Sequence, residues 1–565
     1  MKSLAAPAFH AITAAVGGAF RYLNLFALRT SRGHKAALFG ALVLFLLFAL
    51  WDLKSPGIGR DEASMGYAAA GIDFLHALKN LSFERLPLQF DGHHGTWIAY
   101  SVYPFLKIIS DPVVAMRLAM VLYSVLTLLC LYRLVFDLYG EGAALLSLSF
   151  LAFHPAFLLI TRMGVRDGNL LLLFSVLAVS FLIRWWKGGR TKDFFLMCFT
   201  LGLGLGTLSW FIYWMAGLSA TLLCFGRGFF RRLMAAWKSH VLGGGVCFLL
   251  GVGPLFLAML FSDPPFFQPI EYLIVLWSGH SQGVGLSSLL VFQPQRSFAI
   301  FRAVLEGGYT FLSYYWDLSV GNLRGYYTLF LVSAGWLVAR SVFRRQRSFE
   351  TGLPLALVCL VFTTLLFASF EPLGVHPAHL LPILPWAVLI CAIGVHDVCK
   401  AIPNEPVKRL VMGVVPGVVL VSVLFFDVEG YVYLHKTGGG TADNSGAVYD
   451  LAVWLKKRNP QTIMVTIRAV DRIKFLVSPA VQLKDMGIYV AATEEGTFQN
   501  LTKISKKIDV YVAPIGNHSG SPATDMFYLF NKWRKQQTSP VIRLKTVFYD
   551  RHGRPAYRVY EPQRS

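Results

Sequence analysis

Apolar residues along the chain fall into long runs closed by charges, Pro or Gly, where a soluble fold would show short alternation. A bilayer core takes about 20 mostly apolar residues per helix, and runs on that scale predict about eleven spans. They lie near 36–52, 112–136, 142–161, 168–186, 194–209, 211–226, 241–261, 326–340, 353–370, 380–396 and 410–426. The fifth and sixth are short, with a tight turn near Trp210, and a single bent span is the alternative there. Beyond residue 426 the runs shrink to strand length and the hinge Gly438-Gly439-Gly440 follows. The pattern then predicts helices near 445–458 and 524–537, and strands at 463–467 and around Asp509–Val512. Two more strands, at 541–549 and 556–560, flank Asp550-Arg551-His552-Gly553. The expected fold is mainly α: a polytopic membrane helix bundle followed by a small soluble α/β domain. The expected domains are a basic amphipathic N-terminus at 1–35, a transmembrane unit at 36–426 with outer loops 53–111 and 262–325, and a soluble domain at 427–565.

Composition agrees: 55% hydrophobic, 15% charged and 14% aromatic exclude both a single soluble domain and a disordered chain. The net charge of +21 suggests nucleic acid as a partner, but its basic residues sit in short clusters between apolar runs, which argues against that. The clusters instead report orientation, because Lys and Arg near span ends stay on the cytoplasmic side. Around Arg29, Arg184, Arg227, Arg340 and Lys400, eleven spans bring every cluster inside. The N-terminus is then cytoplasmic, and 53–111, 162–167, 262–325, 371–379 and 427–565 face outward. The first 35 residues lack an apolar core followed by a small-residue cleavage site, so they read as a helix lying at the inner surface. All seven cysteines lie in or beside apolar runs, so the outer segments encode no disulfide framework. This suits a bacterial inner membrane protein with a periplasmic C-terminal domain.

Ionisable groups at membrane depth are costly, so acidic residues at outer span ends carry weight. Two groups stand out: Gly59-Arg60-Asp61-Glu62-Ala63 after the first span, and Arg162-Met163-Gly164-Val165-Arg166-Asp167-Gly168 in the short turn between the third and fourth. An Asp-Glu pair alone is common on solvated helix starts. The short Arg166-Asp167 turn adds a third carboxylate at nearly the same depth, held in place by its length.

These residues, with Arg117-Leu118, His154-Pro155 and His379-Leu380-Leu381-Pro382-Ile383-Leu384-Pro385, resemble the GT-C membrane glycosyltransferases. The likeness is to the branch of protein O-mannosyltransferases and lipid A aminoarabinose transferases, and it covers roughly 55–400. His379 stands where that branch usually has Tyr, and Phe90-Asp91-Gly92-His93-His94-Gly95 stands in place of a Glu-Lys-Pro element. The resemblance implies inverting transfer of a sugar from a polyprenyl-phosphate donor to an acceptor hydroxyl on the outer face. The acceptor is a protein, a lipid or a glycan; the other expected partners are membrane lipids, with no nucleic acid.

By matching positions, Asp61 is the general base, with Glu62 its neighbour or the base itself. Asp61 and Asp167 would hold a divalent cation, Mg²⁺ or Mn²⁺, through oxygen ligands. Arg60, Arg162, Arg166 and His379 are candidates for the donor phosphate, since Arg grips phosphate with two parallel hydrogen bonds. Interfacial snorkelling is the competing account of Arg162 and Arg166, and packing against the loop that of Arg117. Asp91 would replace the family Glu, and His93 or His94 the Lys, an imidazolium binding phosphate only below about pH 6.5. The substitution leaves the donor sugar open. His93 and His94 also suggest a metal site, but adjacent side chains diverge and no third ligand follows at a usual spacing.

Three further features read more simply. Gly202, Gly204 and Gly206 fit close helix packing better than a nucleotide loop, since no strand precedes them and no Lys follows. The aromatics of 262–325 fit an interfacial belt or a sugar-binding surface. The chain contains no internal repeat, which weakens the alternative of a transporter or flippase of lipid-linked glycan intermediates.

Overall fold

The computed structural model describes residues 31–55, 57–58, 60–73, 89–91, 94–163, 168–225, 237–260, 292–307, 324–343, 352–370, 377–407, 446–465, 482–485, 508–514, 542–549 and 555–562, with scattered single positions between them. Helix α1 (Arg32–Leu50) opens the bundle, capped by the Ser31 hydroxyl, which accepts from the His34 amide. The following loop carries α2 (Arg60–Ala70), a two-stranded ladder of β1 (Gln89–Asp91) and β2 (His94–Gly95), and α3 (Trp97–Ile108). Asp111 caps α4 (Pro112–Tyr139): its carboxylate accepts from the amides of Val113 and Val114, and Pro112 supplies the ready-made φ of a first helical residue.

The third expected span is a broken helix. The pair α5 (Glu141–Ala152) and α6 (Pro155–Met163) meets at a 59° bend, where Pro155 cannot donate an amide into the preceding turn. His154 repairs the break. Its Nδ1 accepts from the Ala156 amide at 3.2 Å, its Nε2 lies 3.1 Å from the Leu305 carbonyl, and its ring meets Tyr326 edge-on.

Next come α7 (Gly168–Gly188), α8 (Thr191–Thr207), α9 (Phe211–Phe225), α10 (Trp237–Leu260), α11 (Pro294–Leu305), α12 (Arg324–Phe343) and α13 (Leu353–Ala368). A short helix α14 (Pro377–Leu380) runs through the 3₁₀ turn Leu381–Ile383 into α15 (Leu384–Ala401). Spans five and six are thus two helices, α8 and α9, turning at Leu208–Trp210. Among the described residues six helices are long and apolar enough to cross a membrane, or seven if the bent pair counts as one span; α9 and α13 are shorter apolar helices. That is the count set beside the expected eleven. The span expected near 410–426 falls largely outside the described residues.

The apolar stretches of α7 and α15 are each 89% buried and form the centre of the bundle, whereas that of α1 is only 17% buried. Exposed Phe39 and Leu47 on α1 are what a lipid-facing surface presents. Helices α8 and α10 touch at their glycines, as the sequence predicted. A Cβ on Gly202 would collide with the Phe248 carbonyl, and one on Gly251 with the Phe199 carbonyl.

The C-terminal region holds α16 (Ala447–Arg458), β3 (Thr462–Val465), β4 (Gln482–Asp485), β5 (Val510–Pro514), β6 (Ile542–Tyr549) and β7 (Pro555–Pro562). The sheet order is β4-β3-β5-β7-β6. Strand β3 runs parallel to β4 and β5, and β7 runs antiparallel to β5 and β6. The strands expected at 541–549 and 556–560 are present as the antiparallel pair β6 and β7. Strand β4 was not legible in the sequence, and the helix expected near 524–537 lies outside the described residues. Tyr449 of α16 donates its hydroxyl to the Lys54 carbonyl at 3.2 Å, docking this region on the loop after α1.

Candidate functional site

The first acidic group sits at the start of α2, which begins at Arg60 and leaves Asp61 and Glu62 in its first turn. The side chains of Arg60 and Asp61 lie outside the described residues. Glu62 is 2% exposed and meets Arg117 of α4 in a bidentate pair: Nε donates to Oε1 at 2.7 Å and Nη2 to Oε2 at 2.9 Å. Arg117 also donates from Nη1 to the Leu53 carbonyl at 2.8 Å. A buried charge is tolerable only when its partner and its remaining hydrogen bonds are supplied, and here both are. Glu62, a candidate base, therefore spends both oxygens on a guanidinium. Arg117 does more than pack against the loop: it fixes the register of α2.

Arg162, a candidate for the donor phosphate, is 1% exposed and turned inward. Nη1 donates to the Phe48 carbonyl at 2.9 Å, and Nη2 to those of Asp52 and Ser55 at 2.8 and 2.9 Å. Asp52 has φ of 42°, a left-handed conformation that turns the chain out of α1. Arg162 thus clamps the last turn of α1 and the loop that leads to Asp61.

Arg166 and Asp167 lie outside the described residues, but both flanks of their turn are pinned. Thr161 Oγ1 is hydrogen-bonded to Ser124 Oγ at 2.8 Å, before the turn. After it, Asn169 Nδ2 donates to Ser124 Oγ and to the Met120 carbonyl, each at 3.0 Å. Ser124, Met120 and Arg117 all belong to α4, so one helix holds the start of α2 and both ends of the Asp167 turn.

His379 is buried in α14 and stacks on Trp210 with ring centroids 4.5 Å apart. Two residues on, Leu381 packs so tightly against Gly168 that a Cβ there would approach its Cδ1 to 2.8 Å. His379 thus lies two residues before a side chain that packs on Gly168, the residue after Asp167 in the chain. The β1–β2 ladder places Asp91 opposite His94 in register, and Gly95 lies flat against the Gly206 carbonyl at the end of α8. His93 and the side chains of Asp91 and His94 lie outside the described residues.

Other parts of this end were not legible from local sequence. Asp111 pairs with Lys54 as well as capping α4. Burial by itself would raise the Asp111 pKa, but Lys54 and the amides of Val114 and Val113 outweigh it and hold the carboxyl below its ordinary value. Tyr449 belongs to the same cluster, and burial is the main reason its phenol is pushed above the ordinary value. Among the described residues no group of three His, Cys, Asp or Glu converges to hold a metal ion. Glu62, committed to Arg117, offers no free oxygen ligand.

The arrangement, with a broken third span, a helix bearing the acidic pair after the first, and a sheet docked on that loop, has the GT-C fold of the solved structures it resembles. Residues 93–256 match the family model described as dolichyl-phosphate-mannose-protein mannosyltransferase. ArnT from Cupriavidus metallidurans bound to undecaprenyl phosphate superposes with a TM-score of 0.58 at 12% identity, covering 93% of this chain and 97% of that one. Its apo state gives 0.59 at 12% identity, over 93% and 98%. The Archaeoglobus fulgidus oligosaccharyltransferase tethered with an acceptor peptide gives 0.53 at 13% identity, over 94% of this chain and 74% of that one. No curated protein sequence matches significantly.

Proposed function

We propose that this chain is an integral membrane enzyme that transfers a sugar from a polyprenyl-phosphate-linked donor to an acceptor hydroxyl, with inversion. The observation that carries the reading is the convergence on α4: Arg117 holds the start of α2 through Glu62, and Ser124 and Met120 hold both ends of the Asp167 turn. The fold supports it, and undecaprenyl phosphate is the ligand named for the ArnT relative. A donor of that kind keeps its isoprenoid in the bilayer and its phosphate at the headgroup plane, the level of these span ends.

In the step we assign, the acceptor oxygen attacks the anomeric carbon as the bond from that carbon to the phosphate oxygen breaks. Asp61 takes the hydroxyl proton, and the polyprenyl phosphate departs with the electron pair. Arg60, Arg166 and His379 would meet the phosphate charge, with Asp91, His93 and His94 bordering the donor. Glu62, Arg117 and Arg162 are positioning residues, because Glu62 and Arg117 pair with each other and both Nη atoms of Arg162 are given to backbone carbonyls. Asp167 would orient the acceptor. A divalent cation would rest on Asp61 and Asp167; among the described residues no group of three His, Cys, Asp or Glu converges to hold one. The transfer would take place on the outer face, with 427–565 a soluble domain on that side and the N-terminus in the cytoplasm.

The test is transfer from radiolabelled polyprenyl-phosphate sugars by the purified protein. Asp61→Asn should lower the rate by about 100-fold or more, the usual share of a general base, with an unchanged unfolding midpoint. Transfer that survives both Asp61→Asn and Asp167→Asn would overturn the assignment. Lipid movement without any transfer would favour a flippase.

A further inference from the structure

The opposite end of the bundle contains a cavity of about 580 Å³ that glycosyl transfer does not use. Its wall includes Tyr139, the last residue of α4, about 22 residues beyond Arg117 and so roughly 33 Å away along the helix. The remaining wall comes from the ends of α7, α12, α13 and α15.

Three cations line it: Lys187, Arg340 and Lys400. The one carboxylate, Asp397, is paired with Arg340, so the cavity keeps a positive surplus. Lys187 and Lys400 stand in the last turns of α7 and α15, where they also offset the negative ends of those helices. Helix dipoles do not account for two other wall atoms. Nε2 of His396, a residue 8% exposed, and the hydroxyl of Tyr139 are buried with no hydrogen-bond partner among the described residues. Buried polar atoms without partners are rare in folded proteins and ask for a ligand or water. Helix α13 also begins at this wall, at Leu353, with no side-chain cap on its first amides.

Cations, an uncapped helix start and two unsatisfied polar atoms suit a group with several anionic oxygens. Apart from the Ser341 hydroxyl the rest of the wall is apolar, including Trp186 and Leu337, and it lies at the ends of α4, α7, α12 and α15, each long and apolar enough to cross a membrane. A soluble anion has no use for such a wall, whereas a lipid lays its chains along it. We propose that this cavity binds the phosphate headgroup of an anionic membrane lipid from the leaflet opposite the transfer site. Basic pockets between helix ends are a known means of holding such headgroups.

Native mass spectrometry of the full-length protein in detergent tests this, with dioleoylphosphatidic acid, dioleoylphosphatidylcholine and inorganic phosphate titrated separately. Phosphatidic acid should be retained in preference to both others. The Lys187→Gln/Lys400→Gln variant should bind it about tenfold or more weakly, and Lys187→Arg/Lys400→Arg as wild type does. Equal retention by wild type and the Gln variant would overturn the site. Equal binding of inorganic phosphate, or of the zwitterionic lipid, would overturn the assignment to an anionic lipid. Loss in the Arg variant as severe as in the Gln variant would show that packing rather than charge is responsible.

Discussion

Arg117 on α4 and Glu62 on α2 form a two-point contact, at 2.7 and 2.9 Å, between residues 55 positions apart and both essentially removed from solvent. The pair orients helix α2, in which Asp61 immediately precedes Glu62. Removing one partner strands a buried charge, which costs about 3–5 kcal/mol. Glu62→Met and Arg117→Met should each lower the unfolding midpoint strongly, and the double variant should be less damaged than the sum of the singles. Simple additivity in a double-mutant cycle would show that the two do not act as a unit.

Arg162 makes three hydrogen bonds to carbonyls of the α1 end and its loop. Lysine carries the charge without the planar fork, so Arg162→Lys should loosen residues 52–58 while keeping the net charge. Faster amide exchange in that loop, together with a fall in transfer rate at unchanged donor affinity, is the expected result. A fall in donor affinity alone would restore Arg162 to the phosphate-binding set.

Tyr449 ties the C-terminal region to the same loop through the Lys54 carbonyl. Tyr449→Phe removes a single hydrogen bond and should cost about 1 kcal/mol. Because burial raises the phenol pKa, the bond should persist into alkaline pH, and the gap between wild type and variant should stay level from pH 7 to about pH 9. A gap that closes within that range would contradict the raised pKa of the phenol.

Gly251 and Gly253 are two residues apart on α10 and should respond oppositely. A Cβ on Gly251 runs into the backbone of α8, whereas one on Gly253 meets nothing within 4 Å. Gly251→Ala should destabilise by about 1–3 kcal/mol, as overpacking does, and Gly253→Ala should be neutral or slightly stabilising. Thermal unfolding of the two single variants decides it.

The pH dependence at Asp111 has a definite sign. Its folded pKa lies below the ordinary 3.8, so its contribution is fully present above that value and is lost as pH falls through the lower, folded one. The advantage of wild type over Asp111→Ala in unfolding midpoint should be constant above about pH 5 and shrink between about pH 4 and pH 2.

Much of the fold was legible because the signals are local. Long runs of apolar residues marked helices α4, α7, α10 and α15, and shorter, strand-length runs marked β3, β5, β6 and β7. Gly202 and Gly206 announced a close helix contact, which occurs at Phe248 and Gly251. The bend at His154-Pro155 was written in the sequence as a motif, yet it was read as one continuous span. Helix α3 was missed because Trp97–Ile108, only 12 residues with an internal Pro, resembled an irregular apolar loop.

The sequence by itself determined that the chain is a helical membrane protein with a small α/β appendage, and which residue types stand at its span ends. Hydropathy and periodicity are properties of neighbouring residues, so no partner is needed to read them. Tertiary structure decided how those charges are spent. Glu62 and Arg162 carry the same formal charge whether they face a substrate, a guanidinium or three carbonyls, and only the packing of α1, α2, α4 and α6 selects among these. That selection is a matter of burial: once water is excluded, each ionised group must find its compensation within the protein, even from segments about a hundred residues away in the chain.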